Sequence, residues 1–372
     1  MTETDTGVQV IPIHTSDRIS FKNCRRQWDL TSVLREGWRP KAVPRPLGFG
    51  SAVHKGLETL YHPDSWEWRW DDRAALLTHA AVAAFEASWT AQRKTYLKRT
   101  GREQLDELQE QEWKDDRELG RNMIRHYCAW SSRHDQRFHP IGVELDFEVQ
   151  IDTAPDGSPI MYRGRLDTLM RDLSDGSIWV WDHKTAARFE DSLIFLERDE
   201  QVGSYCWAIQ EMLGIEVAGV IYNELYKGYP QPPKRLQNER KGAIFSVSKS
   251  QDTTYEIYLQ TLEENNVTYL EPYREILDYL KNNDKEFFRR IQIHRSPTEL
   301  RNLGEQIRLE AKDMLNDPAT YPNPNRFRCR WCPVSAVCLA MNDGSDYNWM
   351  LEQDFVRSTS HYGNIDGAGE PS

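Results

Sequence analysis

The residues with chemical potential fall into two groups. Asp182 and Lys184 stand two apart in Trp181-Asp182-His183-Lys184-Thr185, Asp167 closes Gly164-Arg165-Leu166-Asp167, and His54 and Glu58 stand four apart in a segment that opens at Gly50. Side chains two apart share a face of a strand, so Asp182 and Lys184 point together while His183 points away and offers its backbone carbonyl. Two carboxylates on one surface suit a hard divalent cation that polarises a phosphate and lowers the pKa of an attacking water. Lys184 would orient that water and offset the charge that develops, and His54 is the natural third ligand. Glu58, one helical turn from His54, is read as orienting it. The chemistry expected of such a set is phosphodiester hydrolysis.

The second group is Cys329, Cys332 and Cys338, spaced C-x2-C-x5-C. Three thiolates so close in sequence can share a metal centre, and Cys24, far upstream, is the candidate fourth ligand. Zinc and a four-iron cluster both satisfy this spacing. Cys128 and Cys206 sit in apolar helical patterns and read as core residues.

The elements that must position these groups follow from periodicity. Ile141, Val143, Leu145, Phe147, Val149 and Ile151 alternate with polar residues, as a half-buried strand requires. Pro155-Asp156-Gly157 turns the chain into a second strand over 160–170, and Ser174-Asp175-Gly176 into a third that begins at Ile178 and ends in the D-x-K segment. This is a three-stranded meander that sets Asp167 beside Asp182. Residues 199–213 read as a helix stopped at Gly214, and 217–226 as a further strand. Residues 15–33 read as a short helix carrying Cys24, 71–98 and 104–131 as a helical insertion, and 250–315 as further helices around Phe287-Phe288-Arg289-Arg290. The expected organisation is one domain over 15–345: a helical insertion at 71–131, a core at 141–226, a helical region at 250–315, and a clamp formed by residue 24 with 329–338. Residues 1–14 are expected to be disordered and 346–372 to form a partly disordered tail, Gly-rich and acidic from Gly363.

With 372 residues, 39% hydrophobic and 11% aromatic, the chain can bury a substantial core. No apolar run approaches the roughly 20 residues that span a bilayer, and the N-terminus lacks the pattern of a signal peptide. A cytoplasmic protein with no membrane partner is expected, in which six cysteines would stay reduced. The formal charge of −11 excludes indiscriminate coating of nucleic acid but not a locally basic groove. Two segments mix basic and aromatic residues as a single strand would require: Lys227 to Lys241, and Arg326-Phe327-Arg328 with Arg330-Trp331. No G-x-x-x-x-G-K-[ST] occurs, so any helicase motor would be a partner.

GFGSAVHKGLE at 48–58, GRLD at 164–167, WVWDHKT at 179–185 and QVGSY at 201–205 together resemble the RecB-type branch of the PD-(D/E)xK nuclease superfamily in order and spacing. The resemblance implies an α/β restriction-endonuclease-like core, a mixed sheet flanked by helices with large helical insertions. It also implies that His54, Asp167 and Asp182 bind Mg²⁺ or Mn²⁺, with the His183 carbonyl beside them, that Lys184 is catalytic, and that Gln201 and Tyr205 lie beside the active site. One remote cysteine before C-x2-C-x5-C resembles the iron–sulfur subgroup, which includes AddB-type nuclease domains and CRISPR-associated exonucleases. That likeness implies a 4Fe–4S cluster on Cys24, Cys329, Cys332 and Cys338, clamping the two ends of the chain, rather than zinc. The activity so implied is a metal-dependent deoxyribonuclease, an exonuclease on single-stranded DNA or ends, in replication, recombination or repair, beside a helicase or recombinase. The alternatives are a DNA-trimming nuclease of CRISPR adaptation and a noncatalytic DNA-binding scaffold; an intact Asp167, Asp182 and Lys184 set speaks against the latter.

Overall fold

A computed structural model describes residues 10–42, 45–189, 193–240, 242–283 and 285–358. The expected disorder of 1–9 and of the tail from 359 lies outside these residues, whereas residues 11–14, also expected to be disordered, form a strand. In chain order the elements are β1 (Ile11–His14), α1 (Thr15–Asn23), α2 (Arg25–Thr31), β2 (Trp38–Pro40), α3 (Arg45–Leu60), α4 (Ala74–Thr100), α5 (Glu107–His134), β3 (Phe138–Thr153), β4 (Pro159–Asp172), β5 (Ile178–Ala186), α6 (Leu193–Glu197) and α7 (Glu200–Leu213). There follow β6 (Gly219–Tyr226), β7 (Arg235–Arg240), β8 (Ala243–Phe245), α8 (Tyr255–Glu264), α9 (Arg274–Asn282), β9 (Phe288–His294), α10 (Pro297–Leu315), α11 (Arg326–Cys329), α12 (Ser335–Asp343), α13 (Tyr347–Asp354) and β10 (Phe355–Arg357).

The main sheet runs β1-β4-β5-β6-β9, with β3 also paired to β4. The meander is present, β3 and β5 both antiparallel to β4, while β6 lies parallel to β5. One stretch read as helical is a strand: β9 pairs antiparallel with β6 from Gly219↔His294 to Leu225↔Phe288. Arg289 and Arg290 disguised it: adjacent in sequence, they fall on opposite faces of the strand and interrupt the apolar pattern of Phe288, Ile291 and Ile293.

Two hydrophobic clusters lie on the two faces of the sheet, and β5 serves both. Ile178 and Val180 pack into one cluster with Val202, Cys206 and Ile209 of α7 and Ile307 of α10. Trp179 and Trp181 pack into the other with Val53 and Leu57 of α3, Phe85 of α4 and Ile124 of α5. The period of two then carries Asp182 and Lys184 to the α7 side and His183 to the α3 side. Helix α1 ends at Cys24, whose extended backbone (φ −163°) separates it from α2, so the single short helix expected there is two.

The expected iron–sulfur clamp is corrected. The N- and C-terminal segments do meet, but through an apolar cluster of Leu30 with Val334, Val337, Leu351 and Phe355, and through antiparallel pairing of β2 with β10. Arg26 adds a hydrogen bond to Asn342 Oδ1 (2.6 Å), and Asn323 Nδ2 donates to the Asn23 carbonyl (3.0 Å).

Gly219 starts β6 with φ +151°, and a Cβ there would lie 2.1 Å from the Ile293 carbonyl oxygen of the neighbouring strand. Gly101, at the C-terminus of α4, has φ +65° and open space around it. Gly219→Ala is expected to lower the free energy of urea unfolding by on the order of 3 kcal/mol, and Gly101→Ala by only about 1 kcal/mol.

Candidate active site

The site forms where α3 crosses β4 and β5 just beyond the end of their shared ladder, which stops at the Thr168↔Trp181 pair. Asp167 is its centre: Oδ2 accepts the His183 backbone N–H at 2.7 Å, and Oδ1 lies 3.3 Å from Nδ1 of His54 on α3. Asp182 and Lys184 form a pair, with Nζ 3.1 Å from Oδ1 and 2.9 Å from Oδ2. Asp182 is nearly buried whereas Lys184 is 42% exposed, so the ammonium caps the carboxylate at the solvent boundary.

Sequence reasoning missed one member. Ligand atoms of His54, Glu144 and Asp167 all lie within 4.8 Å of one another, and this is the group of potential metal ligands found among the described residues. Asp182 stands outside it. Glu144 was assigned to the solvent face of β3, but its backbone has φ +46°, and the ladder that pairs Val143 with Thr168 and Leu145 with Leu166 leaves it between them. A register shift between Pro140 and Gly142 precedes it. The turn in the backbone releases Glu144 from the alternation of its strand, and only Gly142 nearby hints at such an irregularity.

The crowding of carboxylates sets the protonation of the site. Burial opposes charge on His54, but Asp167, Glu144 and Asp182 outweigh it and raise the imidazole to about 9. Burial also works against ionised Asp167, yet His54 and His183 hold it well below the usual carboxylate range. Glu144 is pushed up to about 7 by burial and by Asp167, against the pull of Lys55 and His54. Asp182 rises to about 6 through burial, offset by Lys184 and reinforced by Asp167. Burial would lower Lys184, but Asp182 and Asp167 overcome it, so the ammonium stays charged. A negative pocket closed by one histidine and one lysine is a site that attracts a cation.

The His183 side chain has partners of its own. Its ring is buried and neutral, lowered to about 3 chiefly by burial. Asn223 Nδ2 donates to Nδ1 (2.8 Å), which leaves Nε2 protonated toward Thr168 Oγ1 (3.2 Å). Asn223 in turn accepts from Arg290 Nε at 3.2 Å, while the other Arg290 nitrogens reach Tyr61 and Tyr127 (3.1 and 3.2 Å) and pair with Asp135. Asp135 is fully buried and is shared with Arg69 (2.9 Å) and Tyr61 (2.9 Å). This chain of bonds fixes the peptide whose N–H holds Asp167.

Glu58 pairs with Lys55 (2.9 Å) rather than with His54. Gln201 and Tyr205, one turn apart on α7, bond to each other (Nε2 to OH, 3.1 Å) and line a groove of about 390 Å³ with α1 and with Arg163 and Arg165 of β4. Burial raises the Tyr205 hydroxyl, with smaller contributions from Tyr162, Asp182 and Asp167. Of the two basic segments, Lys227–Lys241 includes β7, whose Arg235 lies over Phe245 of β8; Lys241 lies outside the described residues.

Cys24, Cys329, Cys332 and Cys338 do not form the expected metal centre, either 4Fe–4S or zinc. They are free thiols, and no three of their sulfurs close to within 4.8 Å of one another. Cys332 is raised by burial, with the charges of Cys24, Cys329 and Cys338 adding to it. The Cys24 and Cys329 sulfurs accept the backbone N–H groups of Asn323 (3.4 Å) and Asn325 (3.3 Å). Cys128 and Cys206 are buried in the core, as read.

A mixed sheet flanked by helices, with carboxylates, a lysine and a helical histidine converging where two adjacent strands part, defines a nuclease-like α/β class. Residues 19–339 match the PD-(D/E)XK nuclease superfamily, and the chain belongs to it. Comparison with curated proteins gives no match. Membership is thus of the superfamily, and the narrower likeness to its iron–sulfur subgroup falls with the cysteine clamp. No helix among the described residues is long and apolar enough to cross a membrane.

Arg290→Met would leave Asp135 with one arginine instead of two in a fully buried position. It is expected to destabilise the fold by about 3 kcal/mol in chemical denaturation, the range for breaking a buried ion pair from one side.

Proposed function

We propose that the chain is a divalent-cation-dependent deoxyribonuclease, an exonuclease that works on single-stranded DNA or DNA ends, with 15–345 acting as one catalytic unit. The observation that carries this reading is the convergence of His54, Glu144, Asp167, Asp182 and Lys184 where β4 and β5 part. The donor set fits Mg²⁺ or Mn²⁺: it is made of carboxylate oxygens with one imidazole, without thiolates, and most of it is already negative or close to losing its proton at neutral pH.

His54, Glu144 and Asp167 would hold the cation, with Asp182 beside them. Bound there, the cation would supply Lewis-acid polarisation of the scissile phosphate and a more acidic water. The protein's own part is positional and electrostatic. Lys184 carries a permanent positive charge at the mouth of the pocket, suited to orienting the attacking water and to stabilising a developing oxyanion. Asp182 anchors that ammonium. The His183 peptide N–H fixes one oxygen of Asp167, leaving the other toward His54. Gln201 and Tyr205 border the groove by which a strand would reach the pocket.

The test is cleavage of end-labelled linear DNA, single- and double-stranded, with Mg²⁺ or Mn²⁺, beside a circular single strand. Linear substrates are expected to be degraded and the circle spared. Lys184→Ala is expected to lower the rate by about a hundred- to a thousandfold, and Glu144→Gln to weaken Mn²⁺ binding in calorimetry. Normal cleavage by Lys184→Ala, or cleavage in EDTA, would show the mechanism to be wrong.

A further inference from the structure

We infer that α11 and the turn after it form a stacking prong for single-stranded DNA, joined to the candidate active site by the groove along α1. The inference rests on the nuclease reading for the identity of its ligand, and on the surface itself for its location.

Phe327 and Trp331 are each 79% exposed, the highest values among the large exposed hydrophobic residues. Aromatic rings left in water on a short segment have no packing role in the fold, since the neighbouring core is built by Val334 and Val337 instead. Between and beside them stand Arg326, Arg328 and Arg330, and the Arg330 guanidinium lies 5.2 Å from the centre of the Trp331 ring. Among the described residues none of these three arginines pairs with a carboxylate, although this chain has net charge −11 and pairs most of its other arginines. Unneutralised guanidinium groups interleaved with free aromatic faces are the composition that binds a single strand, charge for the phosphates and π-faces for unstacked bases. A duplex, whose bases are already stacked, offers nothing to the rings.

A line of contacts links the prong to the groove. Asn323, just before α11, bonds to the Asn23 carbonyl and the Cys24 sulfur. Asn23, Gln27 and Ser20 then line the 390 Å³ groove, whose far side is Gln201 and Tyr205 beside the carboxylates. Arg163 and Arg165 of that groove are paired with Glu148 and Asp146, so the groove guides while the prong supplies the unpaired charge.

The experiment is fluorescence anisotropy of labelled dT20 and of a 20-base-pair duplex with the full chain in EDTA, where cleavage plays no part. Phe327→Ala/Trp331→Ala is expected to bind dT20 about tenfold more weakly, with duplex binding within twofold of wild type. In the same assay Arg326→Glu/Arg328→Glu should flatten the salt dependence of dT20 binding, lowering the slope of log K against log salt by about 1.4. Because these side chains are exposed, unchanged thermal melts would verify that both variants fold. Unchanged dT20 affinity in the aromatic variant, or equal losses for dT20 and duplex, would overturn the inference; so would an unchanged salt slope in the charge variant. Wild type that fails to cleave DNA, with the aromatic variant still selectively weakened for dT20, would remove the nuclease reading and leave the prong standing.

Discussion

One strand between two cores is the constraint on which the rest depends. Strand β5 gives Ile178 and Val180 to one apolar cluster and Trp179 and Trp181 to the other. Its register is therefore fixed from both sides: a slip of one residue would exchange tryptophans for smaller aliphatic residues in both cores at once. The same register decides the site. Asp182 and Lys184 emerge together toward α7, and His183 is driven inward, where its ring is held by Asn223, directly beside it on β6. Packing at residues 178–181 thus sets which way the side chains at 182–184 point.

Much of this was legible in the sequence because it followed local rules. The meander, the helix at 200–213 with its glycine stop, and the convergence of GRLD with DHKT all come from period-two and period-3.6 patterns and from turn residues. What escaped was non-local or irregular. Glu144 looked like a solvent-facing residue of an alternating strand, and one positive φ redirected it. Strand β9 looked helical because its arginines broke the apolar pattern, and the reason for burying Arg290 lies in Asp135, Tyr61 and Tyr127, remote in sequence. The cysteines misled in the opposite way: their spacing suits a shared metal, but their sulfurs do not close into a tight donor set and the ends of the chain are joined by aliphatic packing.

Two electrostatic regimes coexist. Behind the sheet, Asp135 is fully buried, pairs with Arg290 and Arg69 and accepts from Tyr61, which rigidifies the support of His183. In front, carboxylates share one histidine and one lysine, too few cations to neutralise them. The first arrangement sets two arginines against one carboxylate, whereas the second sets several carboxylates against one histidine and one lysine, and its members reach solvent.

Glu144 marks where folding and purpose part company. Among the described residues, three other than glycine have positive φ, and the other two, Asn266 and Asp317, are of types that tolerate it well, whereas a glutamate gains nothing from that geometry. Folding alone would favour glycine or asparagine at position 144. A laboratory selection for heat resistance would drift toward those residues there and would enrich sturdier proteins with an incomplete pocket, so selection for durability alone would select against the very residue that closes the ring of ligands.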